Sequence, residues 1–220
     1  MLKKLEAVIL DFDGTIVDTE YTYFEVMSEL VEKYSGKKLN KLEYIKNVSG
    51  TSVENCKRYI MKNYDLDEKD FSLLEIDLIN MYEKFIKTPL LPNIKETFQL
   101  LKDNNIKIAI ASNGTLKHIV DGLREHKIIN YVDEIVTKSD VENAKPKPDI
   151  YLEVAKRLKV DIKNCIAVED SVTGAKAAEC SGAYLILQTN EITKHLDFTQ
   201  VNYKIKNCNL YDEIKSILNN

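Results

Sequence analysis

Short apolar runs alternating with helical patterns restrict the folds open to this chain more than any other feature. LEAVIL (5–10), IKIAIAS (106–112), VDEIVT (132–137), NCIAVED (164–170) and AYLILQ (183–188) are apolar or β-branched and each gives way to polar or turn residues, as strands buried on both faces do. TLKHIVDGLREH follows the second run, IYLEVAKRLKV the third and SVTGAKAAEC the fourth, all with apolar residues at helical spacing. Strands separated by helices of about ten residues cannot pair as hairpins and need crossover connections. The predicted fold class is therefore α/β, a doubly wound parallel sheet covered by helices on both faces.

Between the first and second runs the texture changes. TYFEVMSELVEKYS, SVENCKRYIMKNY and FSLLEIDLINMYEKFIK are amphipathic helical segments with no strand among them, and 7 of the 12 tyrosines lie in this block. Thr88-Pro89 closes the last segment, and PLLPNIKETFQLLK then returns the chain to the first texture, its prolines marking the re-entry. The expected organisation is a core of residues 1–15 and 90–220 with an inserted all-helical domain over 16–89.

Composition excludes several classes of function. With 31 Lys and Arg against 35 Asp and Glu, the net charge of -4 provides no field for drawing in nucleic acid. MLKKLEAVIL imitates a signal peptide only until Asp11 breaks the apolar run, and no stretch approaches the roughly 20 apolar residues of a membrane span. Cys56, Cys165, Cys180 and Cys208 are scattered without C-x-x-C spacing, which predicts reduced, mostly buried thiols in a cytoplasmic protein.

In an open parallel sheet, ligands bind beyond the carboxyl ends of the strands. Asp11 and Asp13 follow the first run, Ser112 and Asn113 the second, Glu169 and Asp170 the fourth, and Lys145 precedes the third helix. A lone strand-end aspartate is most often a helix cap, but carboxylates, a hydroxyl, an amide and a lysine delivered together suit another purpose. Clustered carboxylates repel unless a cation sits among them, and all-oxygen ligands favour Mg²⁺. A lysine and a hydroxyl beside them can hold the oxygens of a phosphoryl group.

These residues carry a family resemblance. D-F-D-G-T-I-V-D-T, I-A-S-N-G, A-K-P-K-P-D-I-Y and V-E-D-S-V-T-G-A-K-A-A occur in that order and resemble the four motifs of the haloacid dehalogenase-like superfamily. The D-x-D-G-T core alone is expected by composition at about one position in 10⁵. The resemblance implies a Rossmann-like core carrying an inserted helical cap, as in the group of phosphoglycolate phosphatases, sugar-phosphate phosphatases and β-phosphoglucomutase. It further implies Asp11 as the nucleophile that becomes an aspartyl phosphate, and Asp13 as general acid and base. Ser112 and Lys145 would neutralise the transferring oxygens, with Asn113 helping through its backbone N–H. Asp11, the backbone carbonyl of Asp13 and Asp170 would hold Mg²⁺; Glu169 is either a direct or water-mediated ligand or merely the residue ahead of the Ser171 N-cap.

Other motif neighbours have plainer roles. Asp18 and Thr19 are expected to cap the first inserted helix, Lys147 to be a solvated neighbour of Lys145, and His118, His126 and His195 to lie on the surface.

The favoured function is a Mg²⁺-dependent phosphatase for a small phosphate ester, a sugar or polyol phosphate, acting as a monomer with no nucleic-acid or membrane partner. A phosphomutase shares the site but needs basic cap anchors, and where the β-phosphoglucomutase pattern has His and Arg this chain has Tyr23 and Gly50. A catalytically silent binding module is the remaining alternative. Substrate choice is expected to lie with cap residues facing the core: Glu20, Tyr23, Lys46, Gly50, Thr51 and Ser52.

Overall fold

In the computed structural model the side chains of the first strand alternate between two cores. The structure describes residues 4–49, 51, 53–207 and 209–219. On β1 (Ala7–Leu10), Val8 and Leu10 face one core while Ala7 and Ile9 face the other. The same division runs through β2 (Lys107–Ser112) and β4 (Cys165–Glu169), with β3 (Glu134–Thr137), β5 (Tyr184–Leu187) and β6 (Ile205–Lys206) completing a parallel sheet of order β3-β2-β1-β4-β5-β6.

The two faces differ in bulk. Large aliphatics meet α6 (Ile94–Asp103), α7 (Leu116–Glu125) and α10 (Leu210–Leu218) on one side. Ala7, Ala109, Ala111 and Ala167 meet α8 (Asp149–Leu158) and α9 (Val172–Ser181) on the other. Small residues on that face let the two helices lie close to the strands.

Chain order moves outward from β1 in both directions, through β2 and β3 on one side and β4 to β6 on the other. The β1–β4 seam is thus the topological switch point where such sheets place their ligands. Register sets what meets there: Leu10 lies opposite Ile110 and Val168, so the residues that follow emerge level with one another.

The insertion is helical: α1 (Thr19–Ser35), α2 (Lys41–Asn47), α3 (Val53–Tyr64), α4 (Glu68–Asn80) and α5 (Tyr82–Ile86). Asp18 caps α1 as expected, its side chain accepting from the Tyr21 N–H at 3.4 Å, whereas Thr19, expected to share that role, is the first residue of the helix and its buried hydroxyl makes no hydrogen bond among the described residues. FSLLEIDLINMYEKFIK, read as one pattern, is divided between α4 and α5 at Met81. The helices enclose a core of their own around Met27, Leu30, Tyr44, Ile60 and Leu74. Of the cysteines, Cys165 is buried, Cys56 half-buried and Cys180 exposed; Cys208 lies outside the described residues. No helix among the described residues is long and apolar enough to cross a membrane.

Candidate active site

Asp11 leaves β1 at the centre of the sheet, its N–H still bound to the Val168 carbonyl at 3.0 Å. Immediately beyond, the backbone turns at Gly14, whose φ of 80° is a left-handed conformation that glycine adopts without strain. A side chain there would also overlap the carboxylate of Asp170. The turn therefore serves two ends: it bends the Asp11–Asp13 segment over the strand ends and leaves space for Asp170.

Lys145 is the electrostatic centre. Its Nζ donates to Asp11 Oδ1 at 2.6 Å, to Glu169 Oε1 at 2.6 Å and to the Ala111 carbonyl at 2.7 Å, so all three of its protons are engaged. The residue is buried, and although desolvation opposes its charge, the Asp11 and Glu169 carboxylates raise its pKa. Asn113 fixes the loop that carries it, its Oδ1 accepting from the Lys145 N–H at 3.2 Å and its amide donating to the Lys145 carbonyl at 3.4 Å. Oxygens of Asp11, Glu169 and Asp170 come within 4.8 Å of one another. Three carboxylates face one ammonium, and burial followed by the neighbouring acids drives Asp11 up to about 8 and Asp170 well above the carboxyl range. Such a site has a surplus of negative charge and only oxygen donors, which fits a hard divalent cation.

Asp13 and Ser112 converge from the opposite side. A Cβ built on Gly114 would lie 3.1 Å from Ser112 Oγ and 3.3 Å from Asp13 Oδ2, so both oxygens point to one spot. Ser112 Oγ accepts from the Gly114 N–H at 2.9 Å, leaving its own O–H to donate. The surrounding cavity, of about 190 Å³, is lined by Asp11, Asp13, Glu20, Ser112, Lys145 and Asp170 among others.

Four residues that sequence reasoning had not placed here complete the surroundings. Tyr151 donates to Glu169 Oε1 at 2.6 Å, and Asn190 holds Asp170 Oδ2 and the Gly14 carbonyl, both at 3.1 Å. Thr15 donates to Asp170 Oδ1 at 3.4 Å. His118, expected on the surface, instead sets Nε2 2.9 Å from Asp13 Oδ1 with its ring edge-on to Phe12. The first turn of α7 lies over the strand end, bringing His118 inward; the hydrogen bond to Asp13 raises its pKa against the opposing effect of burial. His195 is exposed as expected, and half-buried His126 donates from Nε2 to the Thr88 carbonyl at 2.7 Å.

The cap residues divide. Glu20 lines both the cavity around Asp11 and an adjoining cap cavity of about 350 Å³, whose walls include Tyr23 and Thr51. Lys46 is exposed on α2 and lines neither cavity, and Lys147 is exposed as expected. Gly50 and Ser52 lie outside the described residues.

Comparison with known proteins gives the family and the fold. Residues 5–182 match the family profile of the haloacid dehalogenase-like hydrolases. A phosphorylated carbohydrates phosphatase of Thermotoga maritima is 29% identical over 81% of this chain and 82% of its own. A bifunctional riboflavin kinase/FMN phosphatase of Arabidopsis thaliana is 33% identical over 84% of this chain, which spans 49% of that longer protein. The fold is shared with a haloacid dehalogenase family hydrolase of Deinococcus radiodurans R1, solved with bound phosphate and sodium, at a TM-score of 0.83, 22% identity and coverage of 97% and 95% of the two chains.

Proposed function

Since this chain belongs to the haloacid dehalogenase-like hydrolases and is a phosphatase, we propose that it hydrolyses a small sugar or polyol phosphate through an aspartyl phosphate on Asp11, with Mg²⁺ as cofactor. The observation that carries the reading is the three-way grip of Lys145 on Asp11, Glu169 and the Ala111 carbonyl beside a cavity shared with Asp13, Ser112 and Asp170. Lys145 occupies Asp11 Oδ1, and among the described residues no donor reaches Oδ2, which is the oxygen left to attack phosphorus. As the P–O bond to the leaving group breaks, Asp13 gives its proton to the departing alkoxide. The resulting carboxylate then takes a proton from the water that hydrolyses the acyl phosphate, releasing phosphate and restoring Asp11. Ser112 and Lys145 stabilise charge on the transferring oxygens.

Asp11, Asp170 and the Asp13 carbonyl would hold the ion, which when bound supplies positive charge against the phosphoryl oxygens. Glu169 is spent on Lys145, Tyr151 and Ser171 and acts as their anchor. Asp11→Asn in an otherwise intact protein is expected to lower kcat by about 10⁴ or more, and chelation should abolish turnover of a sugar-phosphate panel until Mg²⁺ is restored. Inertness of the wild-type enzyme with Mg²⁺, or faster isomerisation than hydrolysis of β-glucose 1-phosphate, would overturn the proposal.

A further inference from the structure

The catalytic cavity opens past Glu20 into the cap cavity, so a phosphate ester seated against Lys145 must send its organic part between α1, α2, α3 and α4. At about 350 Å³ this second space lies within the roughly 300–1,000 Å³ of small-molecule sites. Among the described residues no lysine, arginine or histidine lines it. Tyr23, Tyr44 and Cys56 are kept neutral by burial, Tyr23 being pushed up to about 12.

Glu75, projecting from α4 into the same wall, is half-buried and has no hydrogen bond or ion pair with any described residue. Lys57, which feels its charge, is paired with Glu68 at 2.7 Å instead. Ser49, 8% exposed on the same wall, makes no hydrogen bond of good geometry, and its hydroxyl lies beside the Glu20 carboxylate. Tyr23 and Tyr44 stand beside these groups with ring centroids 6.3 Å apart. A second phosphate or a carboxylate entering here would meet two acids and no base. A wholly neutral group would leave Glu75 desolvated without compensation, whereas an ammonium would pair with it and lie against aromatic faces.

We infer that the cap cavity receives an ammonium group, so that the preferred substrate is an amino sugar or amino alcohol phosphate, with Glu75 as the specificity residue and Ser49 meeting a substrate hydroxyl. This rests on the phosphatase reading and narrows it. The test compares, at saturating Mg²⁺, the kcat/KM of wild-type enzyme for glucosamine 6-phosphate and glucose 6-phosphate, with p-nitrophenyl phosphate as a reporter of hydrolysis itself. A preference of at least about tenfold for the amine is expected. That ratio should collapse toward unity in Glu75→Gln, be kept in Glu75→Asp and invert in Glu75→Lys. Equal or poorer hydrolysis of the amine, or a ratio indifferent to Glu75, overturns the inference while p-nitrophenyl phosphate turnover leaves the phosphatase reading standing. Hydrolysis of none of the three overturns both.

Discussion

At the scale of single residues, the site stores unfavourable charge. Burial, then the Glu169 and Asp13 carboxylates, raise Asp11 to about 8 despite the opposing pull of Lys145, and Asp170 shifts the same way. A carboxyl with a higher pKa in the fold than in the unfolded chain binds its proton more tightly when folded. The stability it contributes is full below its ordinary value of 3.8 and is lost as pH rises through about 8. Chelator-treated protein is therefore expected to show a Tm that falls between pH 4 and pH 8. Added Mg²⁺ should raise Tm more at pH 8 than at pH 5, because its ligands must be deprotonated. Differential scanning fluorimetry across that range checks both signs; a chelated Tm that rises with pH would show that the carboxylates are not crowded as described. The residues bearing this charge were legible in the sequence because each follows an apolar run. Their supports were not read as such: Thr15 and Tyr151 fall inside quoted motifs, but a threonine after a glycine reads as part of the turn and a buried aromatic in an amphipathic helix as core, while Asn190 lies in a loop of ordinary polar composition.

Elements position these residues through close approach more than through individual bonds. The first turn of α9 lies so near the end of β4 that a Cβ at Gly174 would overlap the carboxylate of Glu169, which is fully buried and tied to Lys145, Tyr151 and Ser171. Ser171 caps the same helix, accepting from the Gly174 N–H at 3.0 Å. Gly174→Ala is thus expected to cost about 1–3 kcal/mol of stability by overpacking. It should also lower kcat/KM by at least about tenfold through displacement of Lys145, measured by urea unfolding and steady-state kinetics; unchanged kinetics would separate Glu169 from the work of Lys145. Five of the strands were readable within about two residues because continuous apolar burial on both faces is hard to disguise. β6 escaped notice since only Ile205 and Lys206 pair, within the polar NYKIKN. α2 and α10 were missed for a similar reason: a short helix has too few turns for its periodicity to stand out.

For the whole molecule, the separation of cores decides how it opens. The insertion packs its own apolar cluster, which among the described residues takes in one fully buried residue from the α/β part, Ile192, from the loop after β5, while α5 packs against α7. Nearby, half-buried Lys41 and exposed Glu191 approach only to 3.8 Å, so that pair adds little. The two connecting segments run side by side: Val17 bridges Leu90 in antiparallel fashion, Asp18 N–H donates to the Pro89 carbonyl at 3.0 Å and Leu91 N–H to that of Ile16 at 2.9 Å. If substrate enters and leaves by a swing of the helical part, this paired two-strand connection would carry the movement and restrain its direction. The central strands β1, β2 and β4 are bonded on both sides, whereas α3 and α4 have no sheet beneath them. Native-state hydrogen exchange should therefore show α3 and α4 opening at lower free energy than those strands. Ile192→Ala removes an apolar contact joining the two cores and is expected to reduce protection in α1–α4 by up to about 2–5 kcal/mol, with protection of β1, β2 and β4 little changed. A uniform loss across sheet and helices would mean instead that the two cores unfold as one unit, and that a swing of the helical part cannot be the way substrate gains access.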